Sequence, residues 1–222
     1  MFYGKPEEWC IIALLPSYLE RNNSSLVLMA EKLIQQSKHP QSGFYLHDTT
    51  ALHETLVTLE NKQQKTLLIG VTFALLDFAE EYSMQLQHTI IMETGGMKGR
   101  RKEMTRHEVH SILCKNFQLQ SIHSEYGMTE LLSQAYSKGD GIFNCPPWMK
   151  ILIRDEDDPL TVHSSTQNKI LSGAINVIDL ANIYSCSFIA TEDAGKLYED
   201  NSFEVLGRLD NSDTRGCSLM VI

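Results

Sequence analysis

Apolar and polar positions along the first two thirds of the chain switch repeatedly between two rhythms. Trp9-Cys10-Ile11-Ile12-Ala13-Leu14-Leu15 is an unbroken apolar run stopped by Pro16, the pattern of a short strand buried on both faces. Behind Asn22-Asn23-Ser24-Ser25, whose side chains suit a helix cap, Leu26, Met29, Ala30, Leu33 and Ile34 recur at helical spacing. Gly43–Leu46 reads as a strand, and Asp48 or Thr49 then caps a helix to about Glu60 with Leu52, Leu56 and Leu59 on one face. Thr66–Gly70 and His88–Met92 are further strands, with a helix near Phe73–Tyr82 between them and another from about Thr105 to Asn116. A short strand is expected at 120–123. Strands and helices that alternate with short connections predict a mostly parallel sheet flanked by helices.

From Gly139 the rhythm changes. Pro146-Pro147 breaks the chain, Trp148–Arg154 looks like a strand, and Asp155-Glu156-Asp157-Asp158-Pro159 is an acidic turn. Ile170–Leu180, Ser187–Thr191 and Ser202–Leu206 are further strand candidates. The expected class is therefore α/β: residues 1–140 form the sheet-and-helix part, and residues 141–222 form a smaller strand-rich subdomain. Charge follows the same division. Residues 151–222 carry 5 basic and 12 acidic side chains, so they supply most of the net charge of −9. That sign argues against a nucleic-acid partner bound through its phosphates.

The longest apolar stretch, Leu67 to Leu76, falls well short of the roughly 20 residues of a membrane-spanning helix. The start of the chain lacks the basic and apolar regions of a secretory signal. Five scattered cysteines without a Cys-x-x-Cys pair fit reduced thiols in a cytoplasm. Cys10, Cys114, Cys145 and Cys186 read as structural.

The chemistry-bearing stretch is Tyr126-Gly127-Met128-Thr129-Glu130. It puts a ring, a glycine, a hydroxyl and a carboxylate within five residues, the groups that stack on a base, admit a phosphate and hold a magnesium ion. Upstream, Glu93-Thr94-Gly95-Gly96 follows a strand, where ligands bind in open parallel sheets. Downstream, Thr191-Glu192-Asp193 places a carboxylate in an expected turn, and Gly207-Arg208-Leu209-Asp210 adds a guanidinium. A carboxylate can take both hydroxyls of a ribose, and Arg offers a fork of donors. Each is also ordinary turn chemistry. His107 and His110, on one helical turn, do not match the zinc pattern and read as a solvated face. So does the basic run Lys98, Arg100, Arg101, Lys102 and Arg106. His123 either enters the site or is packed.

The order of these stretches resembles the nucleotide-site motifs of the adenylate-forming superfamily of acyl-CoA synthetases, adenylation domains and luciferases. The likeness is closer still to the acyl-protein synthetase of the bacterial bioluminescence fatty-acid reductase complex. It rests on residues 93–100, Ser124–Gln134, Ile178–Asn182, Phe188–Gly195 and Phe203–Leu219. It implies an enzyme that joins a carboxylic, generally fatty, acid to ATP as an acyl-adenylate and passes the acyl group to a protein thiol. Gly95, Gly96 and Tyr126 border the adenine in that scheme, with Gly127 and Met128 beside them. Thr129 meets a phosphate oxygen, Glu130 holds magnesium, and Asp193 takes the ribose with Arg208 near it. Cys217, two residues from Arg215, falls where that branch has its acyl-accepting cysteine, and a reductase or other acceptor protein is the implied partner. The superfamily's Ser/Thr/Gly-rich phosphate loop has no counterpart in residues 1–60, and only 12 residues follow Asp210. The expectation is a family member lacking its N-terminal segment and C-terminal domain. The alternative is a non-catalytic nucleotide-binding subunit.

Overall fold

The structure is a computed structural model that describes residues 2–15, 24–95, 104–165 and 169–209. In chain order, β1 (Cys10–Leu14), α1 (Ser25–Ser37), β2 (Gly43–Phe44), α2 (Thr49–Asn61), β3 (Thr66–Gly70), α3 (Thr72–Glu81), β4 (Thr89–Glu93), α4 (Arg106–Phe117) and β5 (His123–Tyr126) form the first part. All four β pairings within it are parallel, in the order β2-β1-β3-β4-β5. The connection from β1 to β2 runs toward one edge and the later connections run toward the other. Right-handed crossovers therefore put α1 on one face of the sheet and α2, α3 and α4 on the other.

The apolar runs explain these elements. Every residue of β1 and β3 is buried, as continuous apolar strands between two helical layers should be. Ser24 and Asp48 cap α1 and α2 by accepting from the amides of Val27 and Ala51. Leu52, Leu56 and Leu59 are fully buried under α2, each contributing about 1.5–3 kcal/mol over an exposed position. Phe78 of α3 stacks on Phe117 of α4 at 5.9 Å.

The second part is β6 (Ala135–Ser137), β7 (Ile142–Asn144), β8 (Met149–Arg154), β9 (Val162–His163), β10 (Leu171–Asp179), β11 (Phe188–Leu197) and β12 (Phe203–Arg208). Its strands are antiparallel, and they continue the same sheet from β5 in the order β6-β7-β12-β11-β10-β8-β9. Phe143, Ile151, Ile153, Ile175, Val177 and Phe203 build a second core there.

Three expectations about local structure change. The short strand is His123–Tyr126 rather than 120–123, so Tyr126 closes a strand instead of standing in a turn. It pairs with Ala135 across the hairpin to β6, and that pairing draws the strand forward. The strand expected to stop at Thr191 runs on to Leu197, which places Asp193 inside a ladder with Arg208 opposite. Strands β6, β7 and β9 were not foreseen, since two or three residues carry too little pattern to read.

Candidate nucleotide site

The clearest junction of the expected residues lies where the parallel and antiparallel halves meet. Tyr126, at the end of β5, donates its hydroxyl to Asp193 Oδ2 at 2.8 Å. Arg208, across the β11–β12 ladder, brings its guanidinium to 3.8 Å from Asp193 Oδ1 and also bonds Glu192. Thr191 anchors this strand by donating to the Ile175 carbonyl at 2.8 Å while accepting from the Asp193 amide at 3.1 Å. The ring of Tyr126 packs edge-on against Phe143 and Phe203, at 6.0 and 5.4 Å. Burial pushes the Asp193 carboxyl up, and the Tyr126 hydroxyl and Arg208 only partly offset it. Burial and the neighbouring Asp193 charge push the Tyr126 phenol well above its ordinary value. Tyr126 therefore stays a neutral donor at physiological pH.

The Gly-Gly turn follows β4. Gly95 has φ of 77°, a left-handed conformation that glycine adopts without strain. Its amide donates to Glu93 Oε1 at 2.6 Å, and its carbonyl accepts from the Thr72 amide at 3.2 Å. Glu93 is buried, takes the Thr72 hydroxyl on the same oxygen, and has Ser124 and His110 at 3.5 and 3.8 Å from the other. Burial alone would raise this carboxyl. The bonds from His110 and Thr72, with the charges of His110 and Arg106, outweigh it and hold Glu93 below the usual range. Gly96 lies outside the described residues.

Two residues expected on a solvated face are not there. Arg106 is half-buried, bonds the Val205 carbonyl at 3.2 Å and sits 5.5 Å over the Phe143 ring. Burial lowers its pKa, and the charges of Glu93 and Glu204 counter that. His110, its side chain 13% exposed, turns to Glu93. Their i, i+4 spacing on α4 is the signal that puts both toward the sheet. His107 is exposed, as expected. His123 packs against Tyr3, its Nδ1 and the Tyr3 hydroxyl sharing a 3.0 Å hydrogen bond.

Gly127, Thr129 and Glu130 are exposed on the turn that follows β5, and Met128 is half-buried against the second core. Asn182 fixes the Glu130 carbonyl at 2.7 Å. No group of three His, Cys, Asp or Glu side chains among the described residues is set to hold a metal. A magnesium ion on Glu130 would therefore complete its shell with phosphate oxygens and water, as such ions commonly do. An exposed carboxylate fits that role. Lys98, Arg100, Arg101, Lys102, Asp210, Arg215 and Cys217 lie outside the described residues. Of the other cysteines, Cys10 is buried, with its thiol pushed up to about 11 mainly by burial, while Cys186 is exposed.

The opposite face of the sheet, beside α1, carries an apolar cavity of about 290 Å³ whose walls include Tyr3, Trp9, Met92, Tyr136 and Trp148. No helix among the described residues is long and apolar enough to cross a membrane.

Comparison with solved structures decides the fold. ATP-bound MatB from Rhodopseudomonas palustris superposes with a TM-score of 0.59 at 17% identity, over 92% of this chain and 41% of that one. The amide bond synthetase McbA from Marinactinospora thermotolerans does so with a TM-score of 0.59 at 14% identity, over 96% and 44%. O-Succinylbenzoate coenzyme A synthetase (MenE) from Bacillus subtilis, in complex with ATP and magnesium, matches with 0.55 at 17% identity, over 91% and 42%. The chain shares its fold with these enzymes. It spans about two fifths of the length of these ligases. No protein-family model and no curated protein matches its sequence.

Proposed function

We propose that this chain supplies the adenosine-binding part of an ATP-dependent, acid-activating enzyme. In this reading a substrate carboxylate attacks the α-phosphorus of ATP, forming an acyl-adenylate and releasing pyrophosphate. The thiolate of Cys217 then attacks the acyl carbon, forming a thioester and releasing AMP. Tyr126 and Gly95 border the base, with Gly96, Gly127 and Met128 beside them, and Asp193 and Arg208 take the ribose. Thr129 meets a phosphate oxygen. Glu130 holds magnesium, which would neutralise the charge growing on the phosphates. The acid is apolar, a fatty acid being the type that suits a cavity walled by Tyr3, Trp9 and Met92. The acyl group would move on to an acceptor or reductase protein, in a reducing cytoplasm that keeps Cys217 a thiol.

One contact carries this reading. Tyr126 and Asp193, 67 residues apart in sequence, meet at 2.8 Å with Arg208 alongside. Those are the residues that the sequence motifs assign to one nucleoside. The shared fold with ATP-bound ligases supports it.

The same contact favours a second reading, a non-catalytic nucleotide-binding subunit of an acyl-transfer complex. Asp193 already receives a donor from within the protein, so a ribose must displace or share it. Carboxylate-dependent exchange of labelled pyrophosphate into ATP separates the two. Exchange is expected with medium-chain and long-chain acids. Its absence across a range of carboxylates, with AMP still bound, would select the non-catalytic reading. Loss of protein acylation in Cys217→Ala, with exchange retained, assigns the acceptor; persistent acylation removes Cys217 from that role.

A further inference from the structure

Asp179 ends β10 completely buried, and four donors converge on its carboxylate. Oδ2 accepts from the amides of Leu132 and Ser133, both at 2.9 Å. Oδ1 accepts from the Ser133 hydroxyl at 2.7 Å and from the Ala181 amide at 3.1 Å. The last bond caps the 3-10 turn Leu180–Asn182. That turn carries Asn182, whose Nδ2 donates to the Glu130 carbonyl at 2.7 Å while its Oδ1 accepts from the Ser185 hydroxyl at 2.7 Å. Trp148 closes the arrangement by donating its indole N–H to Ser133 Oγ at 2.9 Å.

These two side chains grip a short stretch from its first residue to its last, Glu130 to Ser133. The stretch begins at the proposed magnesium ligand, which is itself exposed. A buried carboxylate is costly to desolvate, and here its acceptor capacity is directed onto backbone and hydroxyl donors of one loop and one turn. An amide cannot replace it. In either orientation the Asn NH₂ group would face N–H donors that need an acceptor.

We propose that Asp179 and Asn182 are positioning residues for the metal end of the nucleotide site: they fix the backbone of Glu130 so that its carboxylate meets the magnesium ion of Mg·ATP. The role rests on the proposed function, in which Glu130 is the metal ligand. It separates the two ends of the site. The adenosine end is set by Tyr126, Asp193 and Arg208 on β5, β11 and β12. The metal end is set from β10 and the turn that follows it.

The test titrates the 222-residue chain and its variants calorimetrically, with AMP in the absence of metal and with ATP at increasing Mg²⁺. Asp179→Asn is expected to leave AMP affinity within about twofold while raising the Mg²⁺ needed for half-maximal ATP binding by about tenfold or more, the usual cost of losing an outer-shell partner. Asn182→Ala, which removes one bond to the loop, should give a smaller rise of the same kind. The indole N–H resonance of Trp148 reports whether the loop stays assembled, and if Asp179→Asn does not fold, Asn182→Ala decides. Parallel weakening of AMP and Mg·ATP, or an unchanged Mg²⁺ requirement in a folded variant, overturns the positioning role. A wild-type chain that binds neither AMP nor Mg·ATP overturns the proposed function, and the positioning role with it.

Discussion

Tyr126 and Asp193 show how a single hydrogen bond can be both structural and poised for a ligand. The Tyr126 hydroxyl is a donor to a half-buried carboxyl whose neighbouring guanidinium, Arg208, is shared with Glu192. Tyr126→Phe keeps the ring against Phe143 and Phe203 but leaves Asp193 one donor short. The expected cost is about 1–3 kcal/mol, read as a lower urea midpoint with an unchanged slope. Loss of the hydroxyl should also move the Asp193 carboxyl further up, which a carboxyl-detected NMR titration would register. A wild-type midpoint in Tyr126→Phe would show that the bond contributes nothing. The residues of this contact were legible in the sequence because the Tyr-Gly-Met-Thr-Glu, Thr-Glu-Asp and Gly-Arg stretches are compact patterns. Their sharing one site was expected from the resemblance; the direct Tyr126–Asp193 bond and the pairing of Asp193 with Arg208 were not, since they depend on strand extension and on the β11–β12 register. Glu93, Arg106 and His110 were missed for a related reason. The i, i+4 spacing of Arg106 and His110 marks a shared helix face, but a charged residue on such a face does not reveal which partner on another element will bury it.

At the scale of elements, the parallel half was the readable one. Strands buried on both faces are written as continuous apolar runs, and α1, α2 and α4 carry side-chain caps. Thr105 and Glu108 illustrate this at α4. The Thr105 hydroxyl accepts from the Glu108 amide at 3.2 Å, and the Glu108 carboxylate accepts the Thr105 amide at 2.8 Å. This capping box starts the helix that delivers Arg106 and His110 to the sheet. Thr105→Ala should cost about 1 kcal/mol, with amide exchange accelerating first in the opening turn of α4. Uniform loss of protection across the chain instead would mean the cap has no local role. The antiparallel half was harder to read because β6, β7 and β9 are only two or three residues long and owe their extended form to pairing rather than to a pattern of their own. The turn expected at Asp193 became strand interior for the same reason, as pairing with β12 carries β11 past Thr191.

At the scale of the whole molecule, stability should depend on pH through an acid that the proposed chemistry does not use. Burial, reinforced by the charge of Glu93, pushes Glu125 up to about 8. Its unfolded value is about 4.3, so between those limits the folded chain holds a proton that the unfolded chain releases. Stability therefore falls as pH rises from about 4 to 8 and is flat beyond, for this group alone. His39 and His123, lowered mainly by burial, act in the opposite sense near neutrality. Comparison with Glu125→Gln isolates the acid. The variant should gain on the wild type between pH 5 and pH 8, by an amount on the order of a few kcal/mol, in urea midpoints measured across that range. Parallel curves would refute the assignment. The sheet order has a separate consequence for how the molecule is made. Among the described strands β12 comes last in sequence, yet it fills the gap between β7 and β11. Until it emerges during synthesis, both of those strands present an unpaired edge, the kind of surface on which chains aggregate. The parallel half closes through near neighbours in sequence, while this last insertion is non-local and correspondingly slow. Translation that stalls before Phe203 would thus leave a chain whose first half can fold but whose open edges invite association, and Asp193 would still lack its Arg208 partner.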